Sequence, residues 1–228
     1  FDPEAALIDM NERPEIDRWI LSLLNSLIKD VDNFLNSYEP TRAGRAISDF
    51  VNDHLSNWYV PLNRKRFWQG GLTEDKLSAY QTLYTCLETV AKLMAPIAPF
   101  YADQLFCDLI SVTGREQVYS VHLSNFPVCQ EALIDKNLEE RMQMAQTISS
   151  MVLALRRKVN IKVRQPLHVL MVPVLDEHQK ESIEAVKQLI LNEVNVKDMK
   201  FVDNTAGILV KRIKPDFKKL GPRYGKIM

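Results

Sequence analysis

The sequence predicts a mainly α-helical fold: an antiparallel helix bundle followed by a small α/β unit. Three observations carry that prediction. Apolar residues recur at three-and-four spacing through several long stretches up to about residue 159. Prolines and glycines punctuate these stretches with short connections, the pattern of antiparallel neighbours. Beyond Asn160 the pattern changes to short apolar runs, partly β-branched. The expected domains are therefore a helical bundle over 1–160 and a small α+β junction domain over 161–228, incomplete at its end.

The first helix is expected over 14–37. Pro14 suits a first turn, and Ile16, Ile20, Leu23, Leu24, Leu27, Val31, Phe34 and Leu35 form one stripe. The second begins near Thr41 and carries Ile47, Phe50, Val51, His54, Leu55 and Trp58 on its apolar side. Arg45 and Asp49 stand four apart on the other side and could pair. Pro61 should kink or end this helix, because its ring removes a donor and crowds the carbonyl four residues back. Gly70-Gly71 breaks the chain, and Thr73 is a candidate N-cap for a third helix bearing Leu77, Tyr80, Leu83, Tyr84, Leu87, Val90, Leu93 and Met94. Pro96 and Pro99 interrupt it, a fourth helix runs to about Val112, and 118–126 reads as extended. A fifth helix covers roughly 131–159. In the smaller domain, 167–174 reads as a strand and Asp176 caps a helix to about Asn192. Two more strands follow, at 196–202 and 208–213, with a turn at Gly207.

Composition narrows the class. With 46% hydrophobic and 25% charged residues, the chain of 228 residues is an ordinary globular one. No apolar run approaches the roughly 18 residues that span a bilayer. The acidic opening Phe1-Asp2-Pro3-Glu4, without an initiator Met, resembles no signal peptide and suggests a piece of a longer protein. Cys86, Cys107 and Cys129 lie too far apart for a metal knuckle and are odd in number for a disulfide framework, which suits a reducing cytoplasm. The zero net charge hides an asymmetry. Residues 151–228 hold 16 Lys and Arg against 8 Asp and Glu, and residues 1–150 hold 13 against 21. A basic C-terminal third points to a polyanion partner, the alternative being mutual neutralisation across a domain interface.

Two segments concentrate the candidate chemistry. Residues 57–68 place Trp58, Tyr59 and Trp68 beside Arg64, Lys65 and Arg66. Aromatic rings beside cations suit unpaired nucleotides, because rings stack on bases while cations meet phosphates. Trp58 lies on the apolar stripe and reads as core; Tyr59 fits either role. Arg64, Lys65, Arg66 and Trp68 fall outside the stripe, where the alternative is a solvated basic helix end. The second segment carries Arg156, Arg157, Lys158, Lys162 and Arg164 with no acid among them. Arg157 and Arg164 read as RNA-facing, Arg156 and Lys162 as partly structural.

These segments resemble a known family. Residues 57–68 are similar to Asn-Trp-Tyr-Val-Arg-x-x-Arg-x-Arg-Phe-Trp of the anticodon-binding helical domain of class I isoleucyl-tRNA synthetases, with Pro61 where the family usually has Arg. Residues 93–100 resemble Leu-x-Ala-Pro-x-x-Pro-Phe/His, a proline-paired kink between core helices, and Phe100 is the variant common in the isoleucine enzymes. Residues 156–167 resemble Arg-x-x-x-x-Ile-Lys-Val-Arg-Gln-Pro-Leu, and 213–226 resemble Val-Lys-Pro-Asn-Phe-x-x-Leu-Gly-Pro-Arg-Phe-Gly-Lys. The resemblance implies binding of an isoleucine tRNA anticodon stem-loop, with Arg64, Lys65, Arg66, Trp68, Arg157, Lys162 and Arg164 as tRNA-binding residues. Both basic runs are expected to lie on one face and serve that one ligand.

The resemblance implies a second partner in the rest of the synthetase chain, and none in a membrane. The two ATP-holding signatures of class I synthetases, a His-x-Gly-His turn and a Lys-Met-Ser-Lys-Ser loop, do not occur, and His54, His122, His168 and His178 form no such pair. Catalytic residues and metal ligands are therefore not expected here; ATP and magnesium would belong to the parent's catalytic domain. The alternatives are the same domain of a valyl, leucyl or methionyl enzyme, or a helical protein-interaction module without RNA.

Overall fold

The computed structural model describes residues 6–114, 118–174 and 176–202. The chain divides into two compact units, Phe1–Met151 and Val152–Met228. The division falls inside the last bundle helix, upstream of Asn160. Periodicity shows where that helix ends; it does not show where its neighbours change.

In the first unit a 3₁₀ turn, Met10–Glu12, leads into α1, Glu15–Asn36. Glu15 and Asp17 stand in its first turn, where carboxylates favour the positive end of the helix dipole. Trp19, Ile20, Leu24, Leu27 and Val31 are buried. Each such side chain is worth about 1.5–3 kcal/mol relative to exposure. The helix ends at Tyr38, in the left-handed region at φ 57°, and Glu39 donates its backbone N–H back to the carbonyl of Phe34. Helix α2, Pro40–Asp49, packs on α1.

The second helix changes its winding along its length. After Asp49 it winds as a π-helix over Phe50–Tyr59, with Val60 donating five residues back to Leu55. It then returns to α geometry in α3, Val60–Leu62, turns at Asn63, and ends in α4, Arg64–Trp68. The irregularity at Pro61 is therefore present, but as a widened turn before the proline and a break after it. The wider winding moves carbonyls off the α positions that the proline ring would crowd.

Thr73 caps α5, Glu74–Met94, accepting from the Lys76 N–H at 3.2 Å. Its most enclosed line is not the predicted apolar stripe. Ser78, Thr82 and Cys86, four apart, are buried; of the predicted stripe Tyr84, Val90 and Leu93 are buried, whereas Leu77, Tyr80, Leu83, Leu87 and Met94 are half-buried. The proline pair separates α5 from α6, Pro99–Thr113, and Phe100 is exposed. The segment expected to be extended contains a 3₁₀ turn at Val121–Leu123. Asp103 fixes that turn by accepting from Ser120 Oγ and the Val121 N–H, which lets Val121 pack with Ala91, Ala102 and Phe106. A further 3₁₀ turn, Glu131–Leu133, takes the start assigned to the fifth helix. The helix, α7, spans Lys136–Lys158, capped by Asp135 Oδ1 on the Leu138 N–H. Glu139 on α7 accepts from Ser22 and Ser26 of α1 at 2.6 and 2.8 Å.

In the second unit β1, Leu167–Pro173, pairs in parallel with β2, Val196–Val202. Two helices make the crossover that a parallel pair requires. They are α8, Glu177–Ala185, capped by Asp176, and α9, Lys187–Val194, where one continuous helix to Asn192 was expected. Ile183, Val186, Ile190, Leu191, Val194, Val172 and Met199 are buried and make up the unit's apolar centre. The third strand, expected at 208–213, lies outside the described residues.

His54 yields a pH prediction. Its ring sits edge-on to Trp19 and near Phe50, with Nδ1 3.2 Å from Gln146 Nε2. Burial holds its pKa below the usual histidine value, against the opposing Gln146 hydrogen bond and the charges of Asp53, Asp49 and Glu139. Below about pH 6.5 the unfolded chain therefore takes up a proton that the folded one resists. Stability should fall as pH drops from 6.5 towards the lower folded value. Urea titrations should show that loss in the native chain and a smaller one in His54→Gln.

Candidate nucleic-acid interface

Helix α4 is only five residues long and has two unlike faces. Arg64, Lys65 and Trp68, at helical spacing, point outward and are exposed. Trp68 is 78% exposed, and the Arg64 guanidinium lies 5.6 Å from its ring centroid. This is a cation–π contact that holds a flat ring beside a positive charge. Arg66 and Phe67 turn inward instead. Phe67 meets the Tyr80 ring edge-on at 5.2 Å.

The inward face rests on one carboxylate. Asp17, in the first turn of α1, is fully buried. Its Oδ1 accepts from Arg66 at 2.8 Å and from the Tyr59 hydroxyl at 2.8 Å. Its Oδ2 accepts from the second Arg66 nitrogen at 2.8 Å and from Ser78 Oγ at 2.6 Å. Arg66 also bonds Asp75 through the carboxylate and the backbone carbonyl, each at 2.8 Å. α1, the π segment, α4 and α5 thus meet at a single group. Burial pulls the Arg66 guanidinium down, but the hydrogen bonds and charges of Asp17 and Asp75 outweigh it and hold the pKa above the ordinary arginine value. Burial, reinforced by Asp17, raises the Tyr59 hydroxyl, so it stays protonated and donating.

The expected site residues therefore separate. Arg64, Lys65 and Trp68 lie on the surface as anticipated. Arg66 does not: only 14% of its side chain is exposed, because a bidentate fork onto Asp17 draws it inside. Tyr59 is core, which resolves its open reading, and Trp58 is core as read. Arg45 is exposed and forms no ion pair with Asp49.

The second basic run repeats the division of labour within its own unit. Arg156 is 2% exposed. Its guanidinium donates to the carbonyls of Lys162 and Gln165 at 3.1 and 3.0 Å and to that of Asn195 at 3.0 Å. Asn195, left-handed at φ 51°, returns a bond from Nδ2 to the Val163 carbonyl at 2.8 Å. The turn at 161–166 is thereby fixed, and Arg157, Lys162 and Arg164 are exposed around it. Lys162 is structural through its carbonyl and exposed through its side chain.

Sequence reading missed the residues that position α4. Neither Asp17 nor the polar residues Ser78, Gln81 and Thr82 stand out from the apolar periodicity of their helices. In the structure Arg13 donates to Thr82 Oγ1 at 2.7 Å and twice to the Ile8 carbonyl. Gln81 accepts the Ile8 N–H and donates to the Ala6 carbonyl. The only available signal was the concentration of hydrogen-bonding side chains on one face of α5, opposite Arg13 and Asp17 in the neighbouring segment.

Among the described residues, no group of three or more His, Cys, Asp or Glu could hold a metal ion. Among them, too, no helix is long and apolar enough to cross a membrane.

Two contrasting variants test the two faces. Asp17→Ala removes the buried partner of Arg66, leaves it only the half-exposed Asp75, and should cost about 3 kcal/mol in urea unfolding. Arg64→Ala with Trp68→Ala should change stability by no more than about 0.5 kcal/mol per site, as exposed positions do. A large loss in the second variant would place Trp68 in the core.

Known proteins bear on this arrangement. Residues 17–171 match the family model of the anticodon-binding domain of tRNA ligase. The whole chain is 72% identical to part of the isoleucine–tRNA ligase of Bacteroides fragilis and 72% identical to that of Bacteroides thetaiotaomicron. It is 65% identical to that of Porphyromonas gingivalis. In each case the match covers 100% of this chain and 20% of the relative, so the chain spans about one fifth of the length of these curated proteins.

Proposed function

This chain belongs to the family of tRNA-ligase anticodon-binding domains, and on that premise we propose that it holds the anticodon stem-loop of an isoleucine tRNA. The observation that carries the reading is the outer face of α4, where an exposed Trp68 lies beside Arg64 and Lys65. The ring provides a stacking platform for an unpaired base, and the cations meet phosphates that fix register. Arg157, Lys162 and Arg164 supply further phosphate contacts to the same RNA. The parent would be an isoleucine–tRNA ligase, joining isoleucine to its tRNA in the cytoplasm, with ATP and magnesium serving its catalytic part. The remainder of that chain is the second partner.

Fluorescence anisotropy with a synthetic isoleucine anticodon stem-loop tests this. Affinity should fall steeply with salt, and Arg157→Ala with Arg164→Ala should reduce the slope by up to about two units, one per lost phosphate contact. A valine anticodon stem-loop should bind more weakly. Equal affinity for both loops would remove the isoleucine assignment, and salt-insensitive binding would remove the phosphate contacts. The chain alone should give no isoleucine-dependent pyrophosphate exchange above a blank, since it carries neither ATP-holding signature.

A further inference from the structure

We infer that Arg66 is the positioning residue of the RNA-binding face: it makes no contact with RNA and acts through Asp17 and Asp75 to aim Arg64, Lys65 and Trp68. The inference rests on the proposed role of α4 in RNA binding. A five-residue helix has too few internal hydrogen bonds to hold its own direction. α4 is flanked by the turn at Asn63 and by Gly70-Gly71, so its orientation comes from what its inner face grips. That grip is Arg66, whose two terminal nitrogens take both oxygens of Asp17 and reach Asp75. Arg66 also donates to Asn63 Oδ1 at 2.7 Å, and Asn63 Nδ2 donates to the Tyr59 carbonyl at 2.8 Å, which fixes the turn where α4 begins. At the far end Lys76 holds the Gln69 carbonyl at 2.7 Å. Both terminal nitrogens are committed to carboxylates and the unpartnered Nε is buried, so no open edge faces a phosphate. Its planar fork, not its charge alone, sets the angle of the helix.

Arg66→Lys separates a positioning role from a contact. It keeps the positive charge but cannot reproduce the two-pronged geometry. If Arg66 touched phosphate itself, the loss would be the same whether or not Arg64 and Trp68 were present. As a positioning residue it should lose roughly tenfold in affinity for the anticodon stem-loop, the scale of a lost charge-assisted hydrogen bond. The loss should vanish when Arg64→Ala and Trp68→Ala are already present, because nothing remains to be aimed. Acrylamide quenching of Trp68 by itself, without RNA, should also change in Arg66→Lys.

Unchanged affinity in Arg66→Lys overturns the inference while leaving the role of α4 intact. An equal loss in both backgrounds overturns it as well. No loss from Arg64→Ala with Trp68→Ala removes the role of α4 and the inference together. Should Arg66→Lys not fold at the assay temperature, Asp75→Asn replaces it. That variant removes only the half-exposed jaw of the clamp, and an affinity equal to the native chain's overturns the inference.

Discussion

One buried carboxylate organises the helical unit. Asp17 sits in the first turn of α1 with no exposure to solvent, and four donors from three other segments converge on it. An ionised group in that position is tolerable only when its lone pairs are filled and a cation stands against it. Arg66 supplies the charge, and Tyr59 and Ser78 complete the coordination. The consequence is geometric. The π segment, α4 and α5 each have one side chain tied to a single point, so the helices cannot slide past one another without breaking a charge-assisted bond. Apolar burial supplies the bulk of the stability; the carboxylate specifies the arrangement.

Both basic runs follow the same economy of roles. In α4, Arg66 goes inside to carboxylates and leaves Arg64 and Lys65 free. In the second unit Arg156 goes inside to three backbone carbonyls and leaves Arg157, Lys162 and Arg164 free. Arginine suits the inner role because its fork satisfies several acceptors at fixed angles. A run of cations in the sequence is therefore not a uniform patch. One member builds the surface on which the others stand.

The fold was legible where a pattern repeats over several turns. The stripe of α1, the Thr73 cap and the proline pair before α6 all stand where the sequence places them. The misreadings arise where one tertiary contact outranks local preference. Val121 pulls its segment into a turn, and Ser22 and Ser26 hold Glu139 so that α7 begins after a 3₁₀ turn. The polar line of α5 is enclosed because Arg13 and Asp17 lie against it. At the candidate site, Arg64, Lys65 and Trp68 could be read from their position off the apolar stripe. The inward turn of Arg66 could not, because its partner lies 49 residues away, and no periodicity relates the two.

In the proposed reading α4 offers a rigid outer face to RNA while its inner face belongs to the core. The chain has tryptophans at three positions, and they report on both faces at once. Trp19 and Trp58 are buried, at 1% and 7% exposure, and Trp68 is open. Titration of the ¹⁵N-labelled chain with an isoleucine anticodon stem-loop, followed through the indole N–H resonances, is the most direct measurement. The Trp68 resonance should shift or broaden on binding while those of Trp19 and Trp58 stay in place. Binding that leaves Trp68 unmoved, or that moves Trp19 and Trp58 equally with it, would contradict that reading.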